Sequence, residues 1–458
     1  MAMTDFSIVV RSLRTRLFST VTTALTVAVA VALMLVLLMM RASAADAFSR
    51  GGGNMHLLIS ADASPLTGVL NGVFHANAPP RALSYARYEE LAASLPISGN
   101  GFAIPTQQGD SFRGLPVVGT TEEFFIKFKP APGEPWKFTQ GQAFQDYFEI
   151  VVGAQAAAIT GLEVGDSIYL THGIGTSGSA GTIIKKGSLP PADLHDHDHA
   201  HHDHDHDHDA AHEHQDYLFT VSGILAPTGS PHDRAIFSEI TSAWILHAHD
   251  RRMRENPNVS LTDAADLMPA DRLVTGIYVG LTTRDDSAAP AVLPQVFDQL
   301  RRDPSITVAS PGAEMRTLMT MVSNVDQILL AMAGVVILAS AIAIMLALYN
   351  SMEQRRRQIA ILRVLGASQA RIFLLIITEA TIVGLLGCVT GLAISLGGAR
   401  LVASTMHERL GLYISPSLPA REVVLLLLAT LTLAAVAGLI PATMAYRTSV
   451  ARNLRPIA

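Results

Sequence analysis

The 458-residue chain has a single cysteine, Cys388. An intramolecular disulfide is therefore excluded, and any globular part must be held together by its own apolar core. The sequence also lacks a nucleophile elbow, an H-E-x-x-H pattern and a C-x-x-C pair, which excludes the commonest signatures of hydrolytic, zinc-peptidase and redox chemistry. It has no G-x-x-x-x-G-K-S/T loop to cradle nucleotide phosphates. The chain reads as a non-enzyme with no means of its own to use ATP. Charge is sparse, at 16% of residues, and the formal net charge is −6. That acidity is local. Residues 195–214 hold six Asp and one Glu with no Lys or Arg, and without them the balance is +1. Nothing in this balance points to nucleic acid.

What is abundant is apolar sequence in blocks. Runs from Leu17 to Met40, Ile328 to Tyr349, Ile372 to Gly398 (broken only by Glu379) and Val423 to Tyr446 carry no other charge. A bilayer core takes about 20 helical residues, so each run is long enough to span. Arginines orient the spans. Arg11, Arg14 and Arg16 precede the first; Arg355, Arg356, Arg357, Arg363 and Arg371 lie between the second and third; Arg447, Arg452 and Arg455 follow the fourth. Four spans put all three clusters on one side, which is then cytoplasmic. The expected plan is a lead-in over 1–16, a span over 17–41, an extracytoplasmic domain over 42–325 and a span over 326–350. A cytoplasmic segment over 351–371 follows, then a span over 372–398, a short outer loop over 399–422, a span over 423–446 and a cytoplasmic tail over 447–458. Ala42-Ser43-Ala44 resembles a signal-peptidase site, but the preceding run is longer than a typical signal core and Arg41 sits beside the site. Residues 5–16 mix Phe6, Ile8, Val9, Val10 and Leu13 with arginines, the pattern of a helix lying on the membrane face; a flexible lead-in is the alternative.

The stretch between the first two spans has ordinary globular composition and is long enough to bury a core. It leaves the membrane through residues 42–60, with Gly51-Gly52-Gly53 within them. Helices are expected over 84–95, 154–161, 238–248 and 290–302. Strands are expected over 148–153, 167–171, 217–225, 274–283 and 305–310. This is an α+β domain inserted between the first two of four transmembrane helices. A low-complexity loop over 172–216 interrupts it.

The segment Glu353-Gln354-Arg355-Arg356-Arg357-Gln358-Ile359-Ala360-Ile361-Leu362-Arg363-Val364-Leu365-Gly366-Ala367-Ser368 closely resembles the coupling segment of the FtsX/MacB-type (type VII) ABC transporter permeases. Further matches are Glu379 early in the third span and the ending Ala437-Gly438-Leu439-Ile440-Pro441-Ala442 with Ala445 and Arg447. The outer-domain patches Val151-Val152-Gly153-Ala154, Gly161-Leu162-Glu163-Val164-Gly165-Asp166 and Phe219-Thr220-Val221-Ser222-Gly223-Ile224-Leu225 also match. The resemblance covers nearly the whole chain. It implies a bacterial inner-membrane, multi-pass subunit with both termini cytoplasmic. The implied assembly is a dimer of permease subunits with two ATPase subunits, whose ATP-driven closure moves the outer domains without substrate necessarily crossing the inner membrane. A periplasmic binding or effector protein is the further partner expected.

On this reading Glu353, Arg355, Arg356, Arg357, Ile361, Arg363, Leu365, Gly366 and Ala367 couple to the ATPase through a short helix over 351–369. The arginines also suit an anionic leaflet of membrane lipid, and fixing topology is their plainer role. Glu379 is costly to expose to lipid and should face protein or lie near the membrane surface. Gly387 and Gly391 form a small-xxx-small step that permits close helix approach, within one subunit or between two. Pro441 belongs to the C-terminal signature.

The loop ends in a tract where His195, His197, His199, His201, His202, His204, His206, His208, His212 and His214 interleave with aspartates. Imidazole suits borderline metals, and His/Asp donors make zinc the leading choice, with copper and nickel open. A solvated insertion without a role, or a pH sensor, are the alternatives. His172, His232, His247 and His249 are candidates to complete an ordered site. The function read from the sequence is an ABC permease linked to zinc handling. The alternatives are an FtsX-like regulator of a periplasmic cell-wall hydrolase and a lipoprotein or peptide export permease.

Overall fold

The computed structural model describes residues 5–131, 133–173, 181–188, 216–283, 290–364, 366–410 and 420–446. The chain divides into two compact units, one built around Ala45–Thr320 and the other from the apolar helices.

In the helical unit, four helices are long and apolar enough to cross a membrane, with candidate spans Leu17–Met39, Gln327–Met352, Gln369–Leu401 and Ala420–Tyr446. Val27, Val31 and Leu35 of the first pack with Ile344 and Leu348 of the second, Ala380 and Val383 of the third, and Leu426 and Ala434 of the fourth. Ser340 hydrogen-bonds the Thr26 carbonyl at 3.3 Å, tying the second span to the first. Outward-facing Phe18, Val29, Val335 and Leu428 are each more than half exposed, as a lipid-facing surface requires. The helix that begins at Leu17 continues past its apolar span, Leu17–Met39, to Gly51; Gly53, at φ +51, makes the turn beyond its end. The fourth span breaks at Gly438 into Ala420–Ala437 and Leu439–Tyr446. Pro441 has no N–H to offer the Ala437 carbonyl, which accounts for the break.

The sheet-rich unit is organised around the strand Phe102–Phe112, paired antiparallel with Gly276–Gly280 on one side and Leu115–Thr120 on the other. Leu115–Thr120 runs parallel to Ile236–Glu239, which is antiparallel to Glu149–Val152; that strand in turn is parallel to Phe219–Leu225. Beyond Gly276–Gly280 lie Leu57–Ser60 and then Thr307–Ala309. Phe102–Phe112 turns into its neighbour through Arg113 and Gly114, at φ 50 and 76, positive at both central positions as a tight hairpin turn demands. Arg113 is held there because its guanidinium donates twice to the Gly181 carbonyl, at 3.0 and 2.8 Å.

An aromatic core fills one face: Phe124, Phe125, Phe128, Trp136, Phe144, Phe237 and Tyr278 are all buried together. Each such side chain contributes about 1.5–3 kcal/mol by leaving water. A second core gathers Phe112, Ile150, Phe219 and Ile236, and a third Leu57, Ile277, Val279 and Val308. These cores stand in for the disulfides this domain cannot form.

The expected strand over 167–171 is two short ones. Ser167–Ile168 pairs with Phe219–Leu225, whereas Thr171–His172 pairs with Phe102–Phe112. The expected helix over 238–248 begins at Ile240 and extends to Glu255, capped by the Glu239 carboxylate on the Thr241 N–H.

Candidate functional site

The segment expected to be a separate short helix is the end of a longer one. A single helix runs from Pro311 to Val364, because no glycine or proline interrupts the sequence after Gly334 until Gly366. Gly366 stops it at φ +97, its N–H bonding the Arg363 carbonyl at 3.1 Å, the left-handed cap that glycine adopts at least cost. Ser368 then caps the next helix through the Arg371 N–H at 3.2 Å. The segment has two faces. Met352 and Ile359 pack with Ile372, Ile376, Ala442 and Ala445, and Ala367 packs against them; Ala360 is also buried. Ile361 and Val364 are 45% and 64% exposed, and Arg363 is half-buried. Glu353, Arg355, Arg356 and Arg357 lie on the helix with only their backbone described, and Leu365 lies outside the described residues.

Glu379 is buried and accepts a hydrogen bond from the Ser12 hydroxyl at 3.0 Å. The amphipathic Asp5–Thr15 helix is thereby attached to the third span, and the carboxylate faces protein. Gly387 and Gly391 meet the first span of the same chain. A Cβ on Gly387 would stand 2.5 Å from Val27 Cβ, and one on Gly391 2.7 Å from the Ala28 carbonyl oxygen. These glycines serve close packing within the chain. Pro441 is buried at the break in the fourth span.

In the sheet-rich unit the ten tract histidines, His195 to His214, lie outside the described residues. The four histidines around them do not form one site. His232 is buried beside His75, with ring nitrogens 3.3 Å apart, in the aromatic core against Phe124, Phe128 and Trp136. Burial lowers the His75 pKa to about 4, with Gln108 opposing and Arg234 adding to the shift. Burial, with the His75 charge, holds His232 well below the usual range. His249 is buried against Thr262 at 3.0 Å and Asp216 at 3.5 Å. His172 and His247 do meet, over Asp110: His172 Nδ1 lies 3.3 Å and His247 Nε2 3.2 Å from Asp110 Oδ1. Burial alone would lower the His247 pKa, but the Asp110 carboxylate more than offsets it and the net shift is upward. Asp110 carries no sequence signal. It follows Gly109, so it reads as a turn residue, and it is 62 and 137 positions from its partners.

Four helices long and apolar enough to cross a membrane, joined in sequence to a sheet-rich unit, make this a membrane protein with a large globular domain. A family model for the MacB-like periplasmic core domain matches residues 17–292, and one for the FtsX-like permease C-terminal matches residues 330–450. The chain belongs to the FtsX/MacB-type ABC transporter permease family, whose members are non-enzymatic transporter components that work with an ATPase partner. No curated protein matches it.

Proposed function

We propose that the chain is the membrane subunit of an ABC transporter of the mechanotransmission type, in which a cytoplasmic ATPase moves the outer domain, and that the transporter handles zinc. The observation that carries the coupling is the continuity of the Pro311–Val364 helix. At 1.5 Å per residue it is about 80 Å long, far more than the ~30 Å of a bilayer core. It begins two residues after the strand Thr307–Ala309 and ends with Ile361 and Val364 exposed. One element of that length suits the transmission of a push or a rotation. The arginine clusters support a bacterial inner-membrane subunit with both termini cytoplasmic. The family supports a dimer and a periplasmic binding or effector protein.

The zinc assignment rests on the ten-histidine tract, whose neutral imidazoles and interleaved carboxylates suit a loosely held pool of borderline cations. The test compares the full chain with a variant lacking residues 195–214 by zinc titration calorimetry and by growth under zinc chelation. We expect the deletion to remove most of the bound zinc equivalents and to impair growth under chelation. Equal growth of the two strains would set zinc handling aside in favour of regulating a cell-wall hydrolase or exporting lipoprotein.

A further inference from the structure

The three side chains that meet over Asp110 come from three elements. Asp110 sits in Phe102–Phe112 where the register against Leu115–Thr120 shifts between Gln108 and Ser111, an irregularity of the kind that re-aims a side chain. His172 is its direct cross-strand partner. His247 comes from the Ile240–Glu255 helix, and its ring packs over the strand at Gly109, where a Cβ would meet it at an ordinary contact distance of 3.6 Å. The short strand is fastened to the sheet at three points. Thr171 Oγ1 donates to the Ser111 carbonyl at 2.9 Å, the Gly173 N–H to the Gly109 carbonyl at 2.8 Å, and Ser111 Oγ to the Gly173 carbonyl at 2.6 Å.

We infer that Asp110, His172 and His247 form an ordered binding centre for one divalent transition-metal ion of the zinc class. One ligand atom from each lies within 4.8 Å of the other two. Around a tetrahedral zinc with bonds of about 2.0–2.1 Å, neighbouring ligand atoms stand roughly 3.3–3.4 Å apart. Two edges already have that length, at 3.3 and 3.2 Å. The third closes by a swing of the His172 ring, whose side chain is 59% exposed, toward the His247 ring 5.4 Å away. The donor chemistry agrees, since two imidazoles and a carboxylate suit zinc, cobalt or nickel rather than calcium or magnesium. The electrostatics agree as well. The Asp110 side chain is only 4% exposed, and a carboxylate that deep is stabilised by a cation. Three protein ligands leave a coordination position open on the exposed His172 side, the arrangement of an exchangeable site rather than a closed structural one.

This centre stands on its own geometry and is separate from the tract, so either can fail alone. The test uses the full chain lacking residues 195–214, which keeps Asp110, His172 and His247, titrated with Co2+ and followed by its visible d–d absorption, then displaced with Zn2+. We expect one cobalt per chain with the intense spectrum of a low-coordinate site. Asp110→Asn and His247→Gln should each weaken binding by more than the ~10–100-fold typical of outer-shell partners, and His249→Gln should leave it unchanged. His172→Gln, at the exposed rim, is the variant least able to disturb folding and should weaken binding with an unaltered thermal transition. A deletion chain that takes up no cobalt, or that binds it equally after the Asp110, His172 and His247 substitutions, overturns the inference.

Discussion

Single residues decide much of this molecule's stability, and two sets make sharp predictions. Gly387 stands where a Cβ would come within 2.5 Å of Val27, whereas Gly397 on the same helix has nothing within 4 Å. Gly387→Ala should destabilise the detergent-solubilised chain by about 1–3 kcal/mol through overpacking. Gly397→Ala should be neutral or slightly stabilising, because alanine is the better helix former. Thermal unfolding of the two variants reads the difference directly. The buried pair His75 and His232 predicts a pH dependence. Both are neutral in the fold, His75 down to about pH 4, while an unfolded histidine takes its proton near 6.5. As pH falls from about 6.5 toward 4, the unfolded state binds protons that the folded state refuses, so stability present at neutral pH is lost across that window. Among the described residues the groups facing the pair include Gln108, Arg234, the Gly51 backbone and the rings of Phe124, Phe128, Trp136, Phe237 and Tyr278; burial raises the Tyr278 pKa, so that ring is neutral in this window and none of these groups supplies a negative charge to reverse the sign. Unfolding followed by tryptophan fluorescence should show the loss, and a His75→Gln, His232→Gln double variant should flatten it.

Among elements, the apolar helices were legible because length and lack of charge are local properties. The central strand Phe102–Phe112 was not. It contains Pro105, Gln107, Gln108, Gly109 and Asp110, a composition that reads as loop, yet it is buried almost throughout. Several of its polar groups find partners distant in sequence, such as Thr106 on the Gly276 carbonyl and the Gln108 N–H on Thr275, while the buried Gln107 and Gln108 side-chain oxygens have none among the described residues. The Arg113-Gly114 turn was hidden for a similar reason, since arginine is an unusual residue at positive φ and the contact that holds it comes from Gly181. The form of the segment over 353–368 was not legible, because the continuity of one helix from Pro311 to Val364 depends on uninterrupted helix formers rather than on the motif. Its two faces predict opposite outcomes. Ile359→Asp places a charge in a buried apolar cluster and should lower the thermal transition by several degrees. Ile361→Asp, on the exposed face, should leave that transition within a degree and still reduce the amount of ATPase that co-purifies.

At the scale of the whole molecule, the division into a sheet-rich unit and a helical unit follows from how apolar residues are distributed along the chain. The meeting of Asp110, His172 and His247 does not, since it depends on a strand register and a helix placement that only the folded domain sets. Likewise His232 and His249 look equivalent to His247 in the sequence, and burial among different partners separates them. The central claim is that this chain passes work between an ATPase and its outer domain through the end of the long helix. The most direct measurement places a cysteine at Val364, which is 64% exposed, in a chain whose native Cys388 is buried. In native membranes the new thiol carries a photoactivatable crosslinker, and the captured protein is identified by mass spectrometry. The expected adduct is with a protein that carries the G-x-x-x-x-G-K-S/T loop this chain lacks. Capture only of proteins without that loop, or no adduct above that of the unmodified parent, would contradict it.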